Sequence, residues 1–256
     1  MTVQAPTWFW ALVAGLLGLA MGSFFTVACW RWPRGESLSH PRSHCTTCDR
    51  TLAWYEMVPV LSWVALRGRC RRCGTPVSWR YPAIELASGA LAAAAILSFG
   101  ATWRGAAAAV LALTLVPVVV IDLEHRLIPD VIVLPAAAAG LALAVAANPG
   151  RWWVPVTAAA GAAAFLLALS LAYPRGMGMG DVKLALLLGA VLGASVIPAM
   201  FVAFAAGAAL GVALLVRFGG RARRMAVPFG PFLAAGALVA LWRGPTMLGW
   251  YADRLG

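Results

Sequence analysis

Two aspartates and four cysteines are the residues whose types and spacing in this chain fit chemistry. Asp181 follows the run Gly176-Met177-Gly178-Met179-Gly180, and after Lys183 no charge appears over the 33 residues from Leu184 to Val216. Asp122 closes the uncharged run Leu111 to Ile121. An acid at the mouth of a membrane helix is a functional candidate by default. Three glycines in five residues also free the backbone beside Asp181 for an approaching extended chain. Two carboxylates in close contact cannot both ionise, so one retains its proton. The ionised member can then take a proton from water while its partner hydrogen-bonds a peptide carbonyl, as in aspartic peptidases. Two unrelated interfacial acids would be the plainer reading of the same positions.

Cys45-Thr46-Thr47-Cys48 and Cys70-Arg71-Arg72-Cys73 are two C-x-x-C pairs separated by 21 residues. Paired knuckles of this kind bring four thiolates around a zinc ion. Two disulfides are the alternative, but a reducing cytoplasmic loop disfavours them. Four unliganded cysteines are the third reading. His40 and His44 lie close enough in sequence to substitute as ligands, although a solvated loop histidine is the simpler assignment. Cys29, inside an apolar run, reads as a small buried residue. A structural zinc suits this stretch, because a polar segment of some fifty residues cannot build much of a core and metal binding supplies folding energy. Four protein ligands would close the coordination shell and leave no position for metal catalysis.

The elements that must position these residues are membrane helices. The 256 residues are 62% hydrophobic and 11% charged, with a mean hydropathy of +0.84, far below the roughly one-quarter charged content of a soluble domain. The expected fold is an all-α polytopic membrane protein. Trp8 to Trp30 is uncharged over 23 residues, and no basic residue precedes it, so it reads as a retained transmembrane helix rather than a cleaved signal. Seven further spans fall at about 83–101, 105–122, 130–147, 152–173, 182–197, 199–216 and 226–242. One helix over Leu184 to Val216 would be about 50 Å long against a core of about 30 Å, so two helices turning near Ser195 to Pro198 fit better.

Eight spans also place 16 of the 20 basic residues on one side, including Arg126, Arg175, Lys183 and Arg217, which makes that side cytoplasmic. The net charge of +11 therefore reflects membrane orientation, not nucleic-acid binding. The expected division is a first transmembrane helix over 1–30, a cytoplasmic four-cysteine insert over 31–81 and a transmembrane core over 82–256. The insert arginines Arg67, Arg69, Arg71 and Arg72 are expected to rest on anionic lipid headgroups. Gly18/Gly22, Gly189/Gly193 and Gly207/Gly211 are expected to let helices of this chain pack closely, with a dimer interface as the lesser alternative. Asp130, after Pro129, reads as a helix N-cap, and Glu124 as solvated. Glu56 and Glu85 each read as the partner of a nearby arginine.

These residues resemble the prepilin peptidases, also called type IV leader peptidases, of the GxGD aspartic protease group. The resemblance covers most of the chain. Gly22-Ser23-Phe24 and Arg31-Trp32-Pro33 resemble the family's opening motif, and the cysteine pairs with Trp54-Tyr55, Ser62-Trp63, Leu66-Arg67-Gly68 and Arg80-Tyr81-Pro82 through Glu85 its insert. Asp122-Leu123, Ile128-Pro129-Asp130 and Leu134-Pro135 resemble the first catalytic motif, and Gly178-Met179-Gly180-Asp181-Val182-Lys183-Leu184 the second. Pro228-Phe229-Gly230-Pro231-Phe232 resembles the segment before the last helix. The family's opening motif usually carries Asn at the position of Thr26, and its insert often has Asn at that of Met57 and Pro at that of Thr47.

The resemblance implies that Asp122 and Asp181 are the catalytic pair. It implies type IV pilin-like and pseudopilin precursors as substrates, cut after a Gly on the cytoplasmic face of the bacterial inner membrane. It also implies S-adenosylmethionine-dependent N-methylation of the new N-terminal residue, at a site that the residues themselves do not locate. The alternatives are a peptidase without methyl transfer, a transporter with intramembrane acids, and an inactive zinc-anchored scaffold. No repeated halves support a transporter, and the intact aspartate pair argues against a scaffold.

Overall fold

The computed structural model describes residues 5–173, 177–225 and 227–255. Arg175 and Gly176, which enter the charge bias and the glycine run, lie outside the described residues. Among the described residues the regular structure is helical, apart from two isolated antiparallel bridges, His44 with Thr51 and Arg69 with Pro76. The chain forms two compact units, Met1–Ala101 and Thr102–Gly256.

In the first unit, α1 (Thr7–Arg31) and α3 (Arg80–Phe99) pack lengthwise on each other. Small residues set their separation. A Cβ on Gly22 would lie 2.6 Å from the Cα of Glu85, and one on Gly18 would lie 2.6 Å from the carbonyl oxygen of Ser88. Backbones this close leave no room for a side chain, as in tightly crossed membrane helices. Between α1 and α3 runs the cysteine insert, which carries only one short α-helix, α2 (Leu61–Ala65).

The second unit contains α4 (Trp103–His125), α5 (Asp130–Ala147), α6 (Trp153–Ala172), α7 (Met179–Leu192), α8 (Val196–Phe218) and α9 (Gly230–Leu255). With α1 and α3 these make the eight expected helices. The 43-residue apolar stretch Met179–Arg221 divides at the turn Gly193–Ser195, where Gly193 adopts φ +56°. The break therefore falls slightly earlier than the expected Ser195 to Pro198, and Pro198 sits in the first turn of α8. Its 14 residues make α7 about 21 Å long, shorter than a bilayer core.

The interior of this unit is built from α4 and α7. Leu111, Leu115 and Val118 are fully buried on α4, and Leu184, Leu187 and Leu188 on α7. Their spacing follows the helical period, so each helix buries one stripe. Gly189 presses against the backbone of Ala158 and Ala159 on α6. Gly207 meets only the rings of Phe229 and Phe232, and Gly211 faces open space. The third small-residue pair thus does not draw two helix backbones together, contrary to the sequence expectation.

Candidate active site and metal centre

Asp122 extends the buried stripe of α4: it stands one helical turn beyond Val118 and is only 5% exposed. Asp181 opens the stripe of α7, three residues before Leu184, and is 7% exposed. Helices α4 and α7 touch directly. The same periodicity that packs the leucines thus carries both acids to one end of one interface.

Each carboxylate has a backbone donor, but the donors come from different places. Asp181 lies in the first turn of α7, and its Oδ2 accepts the N–H of Gly178 at 3.1 Å. That is local N-terminal capping, with an acid favoured by the helix dipole. Asp122 lies near the C-terminus of α4, where the dipole disfavours an anion. Its Oδ2 accepts the N–H of Gly230, 2.8 Å away at the start of α9 and 108 residues further along the chain. Gly230 is a site residue that the sequence reading did not single out. Its signal was a glycine at a helix start between two prolines, in Pro228-Phe229-Gly230-Pro231.

The segment after α4 completes the site. A Cβ on Gly180 would lie 2.8 Å from the Cβ of Ile128. Gly180 is thus required by the close approach of the α4–α5 connection, a packing reason for this one glycine of the run. Asp130 is not an N-cap: Pro129 holds the extended N-cap position and Asp130 is the first residue of α5. Its carboxylate pairs instead with the ammonium of Lys183, two residues after Asp181. Glu124 is exposed and stands beside His125.

In the first unit the two cysteine pairs form equivalent knuckles. Cys45 N–H donates to Arg50 and Asp49 N–H to Cys45, while Cys70 N–H donates to Thr75 and Gly74 N–H to Cys70. The residue after each knuckle takes a left-handed conformation, Asp49 at φ +51° and Gly74 at φ +69°. The four sulfurs lie within 4.8 Å of one another, and Cys45 and Cys73 are 3.7 Å apart. A tetrahedron with metal–sulfur bonds of about 2.3 Å has edges of about 3.8 Å, so the cluster fits a metal ion. Backbone N–H groups of Cys73 and then Arg72 lower the Cys70 thiol to about 6, whereas the Cys48 thiol is raised to about 11. His40 and His44 stand outside the cluster, with His44 Nδ1 2.9 Å from the Arg42 carbonyl.

Glu56 pairs with Arg50 at 2.6 Å, as expected. Glu85 Oε2 accepts the N–H of Val60 at 2.7 Å. Val60 is a β-branched residue at φ +62°, within a three-residue turn closed by Leu61 N–H on the Pro59 carbonyl. Such a conformation is strained. Glu56 and Glu85 line a cavity of about 1110 Å³ together with Arg31 and Thr26. All four residues are buried.

Comparison with known proteins places both units. Residues 16–99 match the bacterial peptidase A24 N-terminal domain, and residues 109–214 match the type IV leader peptidase family. A protein of Burkholderia pseudomallei named prepilin leader peptidase/N-methyltransferase is 38% identical, over 93% of this chain and 87% of its own. One of Bacillus subtilis with the same name is 35% identical, over 92% of this chain and 95% of its own. One of Myxococcus xanthus is 48% identical across half of this chain and 38% of its own. No solved structure matches.

Proposed function

The chain belongs to the type IV leader peptidase family, and on that premise we propose that Asp122 and Asp181 cleave the leader of type IV pilin-like precursors. The observation that carries this reading is the pair itself: two buried carboxylates at the ends of touching helices. One carboxylate, ionised, accepts a proton from water as the water oxygen attacks the scissile carbonyl carbon. The other, protonated, donates to the carbonyl oxygen. When the tetrahedral intermediate collapses, the C–N bond breaks and the leaving amine takes up the proton. The substrates are pilin-like and pseudopilin precursors, cut after a Gly at the end of a basic leader. The arginine bias supports an active site facing the cytoplasm at the inner membrane.

Many members of the family go on to methylate the new N-terminal amine, and the relatives' names carry that second activity. S-adenosylmethionine, when bound, would supply an electrophilic methyl group. Buried Arg31 and Glu85, both on the wall of the cavity in the first unit, offer the opposite charges that the two ends of the cofactor's amino-acid part require. Arg31 would hold the carboxylate and Glu85 the ammonium. Cys45, Cys48, Cys70 and Cys73 would hold a structural zinc ion that fixes the insert.

The test is to incubate the purified protein with a pilin precursor, with and without S-adenosylmethionine, and weigh the product. Leader loss and the addition of one methyl group are expected. Asp122→Ala and Asp181→Ala are each expected to lower cleavage by at least about a thousandfold. Near-native cleavage by either variant would sink the mechanism, and a cleaved but unmethylated product would restrict the activity to peptidase alone.

A further inference from the structure

We infer that Gly230 is a positioning residue for Asp122: its backbone N–H orients the carboxylate, and its missing side chain makes room for it. This rests on the reading of Asp122 as catalytic. A single N–H at 2.8 Å is the donor seen at the Asp122 carboxylate. It comes from the first turn of α9, where the partial positive charge of a helix start favours an anion. Pro231 follows and has no N–H, and the N–H groups of Phe232 and Leu233 turn back to the Phe229 carbonyl. At this point the start of α9 therefore directs the Gly230 donor at Asp122.

The space is as specific as the donor. A Cβ on Gly230 would lie 2.6 Å from Asp122 Oδ2 and 3.2 Å from its Cγ. Alanine would therefore displace the carboxylate from its place beside α7. The residues on either side hold the glycine in position. The ring of Phe229 lies 5.2 Å from that of Phe204 on α8 and 6.2 Å from that of Phe232, and Phe204 meets Phe165 on α6. The motif Pro228-Phe229-Gly230-Pro231-Phe232 is thus an aromatic clamp around one backbone donor.

Two substitutions separate the two roles. Gly230→Ala adds the Cβ and keeps the N–H. Replacing Gly230 by glycolate through cell-free translation makes a backbone ester, which removes the N–H and adds no side chain. For Gly230→Ala, kcat for precursor cleavage is expected to fall about a hundredfold, the cost of a displacement of about 1 Å, with KM unchanged. For the ester, kcat is expected to fall about ten- to hundredfold, the worth of a hydrogen bond to a charged group.

A third measurement does not depend on activity. Gly230→Ala should lower the Tm of the native protein but leave that of the Asp122→Ala protein unchanged, because the atoms it would strike are gone. Equal Tm losses in both backgrounds, or wild-type kcat in Gly230→Ala, would overturn the inference. Wild-type cleavage that does not depend on Asp122 would instead overturn the reading of the active site, and the Tm comparison would still decide whether Gly230 and Asp122 are coupled.

Discussion

The cysteine insert and the helices around Asp122 and Asp181 hold their residues in place by opposite means. Between Arg34 and Trp79 the only buried apolar residue is Cys70. Order there comes from a few specific links: two hydrogen-bonded knuckles, four clustered sulfurs and the Arg50–Glu56 pair. The acids of the second unit instead end two stripes of fully buried leucines, valines and alanines. Apart from the Gly230 donor to Asp122, no single contact dominates there, and the close approach of backbones at glycine does much of the fixing. A region tied by few links should fail at one of them, whereas a packed region should fail by degrees.

Metal removal is the strongest way to test that contrast. Structural zinc contributes about 10–16 kcal/mol in small zinc-bound folds, so a strong chelator is expected to unfold the insert outright. Emission from Trp54 and Trp63 should shift, while helical circular dichroism stays close to native. A large loss of helix on chelation would show that the two regions do not stand separately. The converse substitution is Gly189→Ala, whose Cβ would strike the backbone of α6. It is expected to cost about 1–3 kcal/mol in thermal unfolding and to leave the bound metal unchanged.

A smaller effect concerns pH. The hydrogen bond and charge of Arg50 hold the Glu56 carboxyl below its ordinary value. A carboxylate with a depressed pKa adds stability above its unfolded value and loses it as pH falls through the folded value. The insert is therefore expected to weaken below about pH 4.5. Glu56→Gln should be weaker at neutral pH and should lack that part of the acid transition, read from tryptophan emission at fixed metal. The smallest effect is at the knuckles themselves. Asp49 occupies the left-handed position that Gly74 fills in the second knuckle. Asp49→Gly is expected to be neutral or to stabilise the insert by up to about 1 kcal/mol, measured as metal retention against a competing chelator.

The contrast also explains what could be read from sequence. The knuckles were legible because each is specified within a few residues, and a cysteine pair has few other uses at that spacing. The eight helices were legible because charge parity and length restrict how often an apolar chain crosses a bilayer. Both acids were legible as charges at the ends of apolar runs. Their surroundings were not. The donor to Asp122 is a backbone N–H 108 residues away, and a backbone group leaves no mark in residue type. Lys183 and Asp130 are 53 residues apart, and Asp130 was free to pair because Pro129 had already taken the N-cap. The strained N–H of Val60 that Glu85 accepts becomes visible only in three dimensions.

The Gly230 contact also has a consequence for how the protein is made. Synthesis runs from the N-terminus, so Asp122 and Asp181 both enter the membrane before α9 exists. Until that last described helix inserts, Asp122 lacks its donor and sits at the unfavourable end of α4. A growing chain would therefore carry both acids without the geometry to use them. On the proposed reading of the pair, hydrolysis would reach its full rate only once α9 has packed against α4.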